Sequence, residues 1–161
     1  MEKAYLATQA AISGVIAFIS AKLGILFPLF CMLGIMFVID YFSGMGASKK
    51  ESIDHPNDKS YGWSSKKGAK GILKKVGYLC VIAVAMVLDY IILNIASVIG
   101  MEVPTTAFFA ILVTVWYVLN ELLSIIENAG RMGAPIPEWL GKYIAVLKNK
   151  IDDNGNTEKS E

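Results

Sequence analysis

The chain has 161 residues, 55% of them hydrophobic and 18% charged, with a formal net charge of +1. Soluble domains run about 45–50% apolar and about 25% charged, so this balance excludes an ordinary soluble domain and points to a membrane. A charge so close to neutral also removes any reason to invoke a nucleic-acid partner.

The placement of the charges says more than their number. No charge occurs within 4–21, 23–39, 76–88, 90–101 or 103–120, and a lone Asp89 separates the third and fourth of these runs. A bilayer's hydrocarbon core is crossed by roughly 20 mainly apolar helical residues. The pattern therefore predicts an all-α integral membrane protein with three or four transmembrane helices. The first run begins almost at once, and Ser20-Ala21-Lys22 is a poor match to a small-residue cleavage site, so the first segment is expected to stay.

Residues 1–44 are expected to form an N-terminal helical hairpin. One helix through this stretch would be far longer than the bilayer is thick. Lys22, Gly24 and Pro28 mark the break, leaving helices near 4–21 and 25–44. The alternative is an interfacial first helix followed by one span. On a helical projection Tyr5, Ile12, Val15, Ile16 and Ile19 make a face suited to lipid. Ala7, Ala10, Ala11, Gly14, Ala17 and Ala21 make a seam of small residues, with Gln9, Ser13 and Ser20 between. Such a seam lets helices approach closely in lipid. It serves either packing on the second span or an interface between subunits.

Residues 45–65 read as a polar loop, with Gly44, Gly46, Pro56 and Gly62 as turn punctuation. The one histidine, His55, has no second ligand at useful spacing, so no metal and no cofactor is expected. Ser64-Ser65 offers N-caps for a helix that runs through Lys66-Lys67 and Lys74-Lys75 and ends near Gly100. Val103-Pro104-Thr105 then turns into a fourth span reaching about Asn128, so that 66–131 holds a second transmembrane pair. Cys31 and Cys80 lie in apolar runs of different spans and read as buried small hydrophobes, not as a disulfide or a metal pair.

Pro135-Ile136-Pro137 breaks the chain after the last span. Across 132–151, Trp139, Leu140, Tyr143, Ile144, Leu147 and Ile151 recur at helical spacing opposite Lys142 and Lys148. This amphipathic helix suits either the headgroup plane or the surface of a sister subunit. Residues 152–161 are a charged tail with nothing to bury, expected to be disordered. With four spans, every basic residue except Lys22 falls on one side, which the positive-inside rule makes cytoplasmic. Both termini and the central loop are expected there. A three-span arrangement moves only Lys3 across.

Several polar groups stand where they are costly. Tyr117, Asn120, Glu121, Ser124, Glu127 and Asn128 share one arc of the fourth span, with Leu119, Leu122, Leu123 and Ile126 opposite. Asp89 falls near the middle of the third span, on the face of Ala85 and Ala96, and Asp40 near the end of the second. A charge at the bilayer centre costs at least about 2.5–3.5 kcal/mol. None of these acids has an obvious basic partner in the membrane. Glu127 and Asp40 are expected to reach the interface, and Asp89 to be protonated against a neighbouring helix or to face a wet space.

Three segments resemble the toxin-secretion/phage-lysis holin family. They are Asp40-Tyr41-Phe42-Ser43-Gly44 with Ala47; the stretch from Ser64-Ser65 through Gly68 and Gly71 to Lys74-Lys75; and Asn120-Glu121-Leu122-Leu123-Ser124-Ile125-Ile126-Glu127-Asn128 followed by Gly133-Ala134-Pro135-Ile136-Pro137 and Leu140. Asp89 also fits the family's third span. They stand in the family's order across about 100 residues. The loop from Ser48 to Trp63 is longer and more polar than the family's, and no second methionine near the start suggests a shorter inhibitor form.

The resemblance implies a holin: a protein that self-assembles in the membrane and opens lesions through which an endolysin or a toxin lacking a signal peptide leaves. On this reading Asp40, Asp89, Asn120, Glu121, Ser124, Glu127 and Asn128 line the lesion or stabilise the oligomer, and Ala7, Ala10, Gly14 and Ala17 pack helices. The partners implied are further copies of the chain, the bilayer, the cargo without specific binding, and an antiholin. Two other readings compete: an antiholin-like inhibitor or membrane scaffold, and a small cation-coupled transporter using Asp89 and Glu121. Against the transporter, the halves carry no evident internal repeat. No HExxH or G-x-S-x-G pattern points to an enzyme.

Overall fold

The structure is a computed structural model that describes residues 1–58, 60–102 and 107–156. Among these it contains five helices and no strand: α1 (Glu2–Leu23), α2 (Leu26–Asp54), α3 (Ser65–Val98), α4 (Phe108–Arg131) and α5 (Glu138–Asn156). The first four are each long and apolar enough to cross a membrane, as the charge-free runs predict.

The break between α1 and α2 falls where the sequence places it. Gly24 turns the chain at a φ of +52°, a conformation that a side chain would strain. Pro28 occupies the first turn of α2, where its missing N–H has no intrahelical partner to lose. Ser64 caps α3 as expected, its Oγ accepting from the Lys67 N–H at 3.3 Å.

α2 does not stop at residue 44. It continues to Asp54, taking half of the expected loop into the helix, with a Lys50–Asp54 ion pair one turn apart at 2.5 Å. Gly44 and Gly46 are thus packing positions. A Cβ at Gly46 would come within 2.8 Å of Met132 Sδ, and one at Gly44 within 3.5 Å of Asn128 Nδ2. At 29 and 34 residues, α2 and α3 are about 44 and 51 Å long. Both exceed a hydrocarbon core of about 30 Å, which leaves their charged ends room outside it. The expected Val103-Pro104-Thr105 turn lies outside the described residues.

α4 is the centre of the subunit. α2, α3 and α5 all pack on it, whereas the backbones of α2 and α3 come close at few positions and meet mainly through side chains. No residue of α4 from Ala110 to Ile126 is exposed. On the side opposite the polar arc, Leu119 is buried and Leu122, Leu123 and Ile126 are half-buried. The main core joins Leu33, Tyr78, Ile82, Tyr117 and Val118, with the Tyr78 and Tyr117 rings stacked at 3.8 Å.

α1 is the opposite case, carrying no buried residue at all. Its small-residue seam does not pack within the subunit, and a Cβ at Gly14 would meet nothing. The cysteines also differ from expectation. Cys31 and Cys80 are both exposed, since each lies on the side of its helix turned from α4, where lipid or another subunit would supply the apolar surroundings. α5 extends to Asn156, five residues beyond the expected end of the amphipathic helix. Residues 157–161 lie outside the described ones.

Candidate functional site

The buried residues of α3 — Tyr78, Ile82, Ala85, Asp89 and Ala96 — follow one another at three, four and seven positions, a single stripe facing α4. Extending that stripe back by three residues reaches Lys75, the group around which the site is built. Lys75 Nζ bonds to Asp40 Oδ2 at 2.9 Å and to Glu121 Oε2. The expectation that the intramembrane acids lack a basic partner is therefore corrected. One lysine serves two of them, from 35 and 46 residues away.

The cluster is nearly closed to solvent. Side-chain exposure is 12% for Lys75, 18% for Asp40 and 1% for Glu121. Charges in such a place are tolerable only when paired and fully hydrogen-bonded. Asn128 supplies part of that bonding, donating to Asp40 Oδ1 at 3.2 Å and Ser43 Oγ at 3.1 Å. Arg131 then donates to Asn128 Oδ1 at 2.9 Å and grips Glu51 through two bonds of 2.8 and 2.9 Å. The Lys75 ammonium also lies 4.7 Å from the Phe37 ring centre, a further favourable contact for a desolvated cation. Helices α2, α3 and α4 are thus tied by one polar network.

A second network joins α3, α4 and α5. Asn120 donates to Tyr78 Oη at 2.6 Å and accepts from Lys148 Nζ at 3.0 Å. Lys148 also sits 4.8 Å from the Trp116 ring centre. α5 consequently folds back along α4 in the same subunit, with Ile144 buried and Trp139, Tyr143 and Leu147 exposed. Lys148 turns inward, contrary to the expected outward polar face.

Asp89 belongs to neither network. Its two carboxylate oxygens accept from the backbone N–H groups of Phe109 at 2.9 Å and Ala110 at 2.8 Å. It is an N-cap delivered to α4 by a neighbouring helix, placing negative charge at the positive end of the α4 dipole. The expected midspan position is corrected: Asp89 is level with the first turn of α4 and lines one cavity with Lys22 and Gly24 of the α1–α2 turn. Both of its carboxylate oxygens thus have protein donors.

Of the residues singled out in the sequence, Asp40, Glu121 and Asn128 converge on Lys75. Ser124 lines a cavity with Asp40 and Asn128, and Asn120 holds the second network. Glu127 is exposed and joins neither. Ala7, Ala10, Gly14 and Ala17 lie on the open surface of α1. Sequence reasoning missed Lys75, Tyr78, Ser43 and Lys148. For Lys75 a signal existed, since it continues the stripe through Tyr78 and Asp89. Among the described residues no group of three or more His, Cys, Asp or Glu is placed to hold a metal ion.

The sequence pattern of the bacteriophage holin family matches residues 17–149. An uncharacterized protein of Halalkalibacterium halodurans is 40% identical over 85 residues, 53% of this chain and 58% of its own length. An uncharacterized 14.9 kDa protein in the nagH 3' region of Clostridium perfringens is 34% identical over 125 residues, 76% of this chain and 78% of that one. One from Listeria innocua is 35% identical over 116 residues, 72% of this chain and 69% of that one. No solved structure matches. Matched over most of its length and carrying four long apolar helices, the chain belongs to the bacteriophage holin family and is a holin-like membrane protein.

Proposed function

We propose that the protein is a holin, assembling with its own copies in the bacterial cytoplasmic membrane into lesions that pass an endolysin or a signal-less toxin. The observation that carries this reading is the bare first helix. α1 has an apolar composition, a seam of small residues and no buried position. In lipid, where packing between helices largely drives association, the seam gains a partner only from another subunit.

The polar networks suit the second half of the mechanism. Lys75, Asp40, Glu121, Asn128 and Asn120 are satisfied inside the single subunit, so it rests in the bilayer without an aqueous surface. When subunits separate around a gap, the same groups have water available as partners. The charge asymmetry supports an orientation with both termini and the loop on the cytoplasmic side. A coupled transporter is less well supported, because Asp40, Asp89 and Glu121 are all held by protein donors. The family itself points to a non-enzymatic protein.

The test is inducible expression in a bacterium, with and without a signal-less endolysin. A holin gives abrupt depolarisation after a lag, and collapse of the culture with release of a cytoplasmic enzyme only when endolysin is present. Depolarisation without any protein release rejects the proposal. Delay of a second, known holin on co-expression would assign the inhibitor role instead.

A further inference from the structure

Because α2 and α3 both lean on α4 and their backbones come close at few positions, a furrow runs between them. At the loop end it opens into a polar cavity of about 310 Å³. Tyr41, Ser48 and Ser124 present hydroxyls there, and Lys67 and Arg131 stand in its wall. Gly71 helps keep it open, since a Cβ there would meet nothing. Deeper along the same furrow lies an apolar groove of about 460 Å³, walled by Phe30, Leu33 and Phe37 of α2 and by Leu79, Ile82 and Met86 of α3. Gly34 lies in this groove and is equally unopposed. On α2 the polar cavity ends at Asp40 and Tyr41 and the apolar groove begins at Phe37, one turn earlier.

We propose that this furrow seats one anionic glycerophospholipid, its phosphate and glycerol in the polar cavity and an acyl chain in the apolar groove. A soluble anion would use only the first space and an apolar helix only the second. Their end-to-end order, polar at the charged end of the helices and apolar toward the middle, is that of a lipid standing in its leaflet. The charge fits as well. Lys67 bonds to the carbonyl oxygens of Ser60 at 3.3 Å and Gly62 at 3.0 Å, which leaves its positive charge whole. Asp40, the carboxylate in the lining, is already held by Lys75 and Asn128. Arg131 is bound to Glu51, so the attraction comes chiefly from Lys67 and its neighbours Lys66 and Lys70.

All three segments that carry the family resemblance reach this cavity: Asp40-Tyr41 and Gly44, Gly68 and Gly71, and Ser124 with Asn128. A lipid seat gives a reason for their convergence that lesion formation alone does not. The inference rests on the membrane placement and not on protein release, so either proposal can fail without the other.

The experiment is native mass spectrometry of the purified full-length chain, titrated with phosphatidylglycerol or phosphatidylcholine in detergent. One phosphatidylglycerol per subunit is expected to be retained, with a preference over phosphatidylcholine of about tenfold. Lys67→Met should sharply reduce the preference, whereas Gly34→Leu should weaken both lipids by filling the groove. Melting temperatures of the variants confirm that they are folded. Equal retention of the two lipids, or lipid binding unmoved by both substitutions, overturns the proposal. Displacement of the lipid by glycerol 3-phosphate also overturns it, in favour of a free-anion site. A changed oligomer distribution with lipid binding intact assigns the groove to a second copy of the chain.

Discussion

Replacing Lys75 by methionine keeps an unbranched stem in place and removes the cation that two buried carboxylates share. Breaking a buried ion pair from one side costs about 3–5 kcal/mol in soluble proteins. Glu121, at 1% exposure, has no water to fall back on, whereas Asp40 at 18% keeps its bond to Asn128. The loss should therefore lie near the lower end, about 3 kcal/mol, or roughly a hundredfold in the folded-to-unfolded ratio. The assay is reversible unfolding of the purified protein in mixed micelles with rising denaturing detergent. Adding Glu121→Gln to Lys75→Met removes the stranded charge and should restore at least half of the loss. A single variant within about 0.5 kcal/mol of the parent, or a double variant less stable than the single, would refute a shared-cation site.

Other substitutions separate the remaining parts. Asp89→Leu strips two N–H groups of their acceptor and should cost about 2–4 kcal/mol, with faster hydrogen exchange at Phe109 and Ala110; protection unchanged at both amides would contradict the cap. Lys148→Met should loosen α5 from α4, read as faster protease cleavage within 138–151 while the four long helices stay intact. Gly14→Leu should leave subunit stability within about 0.5 kcal/mol yet reduce cross-linked oligomers and delay culture collapse. Unaltered oligomers and timing would mean that the seam on α1 joins nothing.

The long helices were legible because a membrane enforces them locally: charge-free runs of spanning length have few other uses. The cap at Ser64 and the turn at Gly24 are likewise written in adjacent residues. What was misread depends on residues far away in the chain. Gly44 and Gly46 looked like turn residues, but Asn128 and Met132 press on them from α4. Asp40 and Glu121 looked unpaired because their lysine arrives from a third helix, and its long stem carries the charge away from the residues beside it in sequence. Asp89 looked stranded in midspan because the depth at which α4 begins is a property of the packing. The seam on α1 was readable as a packing surface, and only the fold removes its expected partner within the subunit.

The central claim is that this chain opens a path for folded proteins, and the most direct test is reconstitution. Purified protein would be placed in vesicles of bacterial lipid loaded with both a small dye and a folded enzyme. The account predicts that, above a threshold protein density, dye and enzyme leave together. Release of the dye with full retention of the enzyme, at every density, would contradict it.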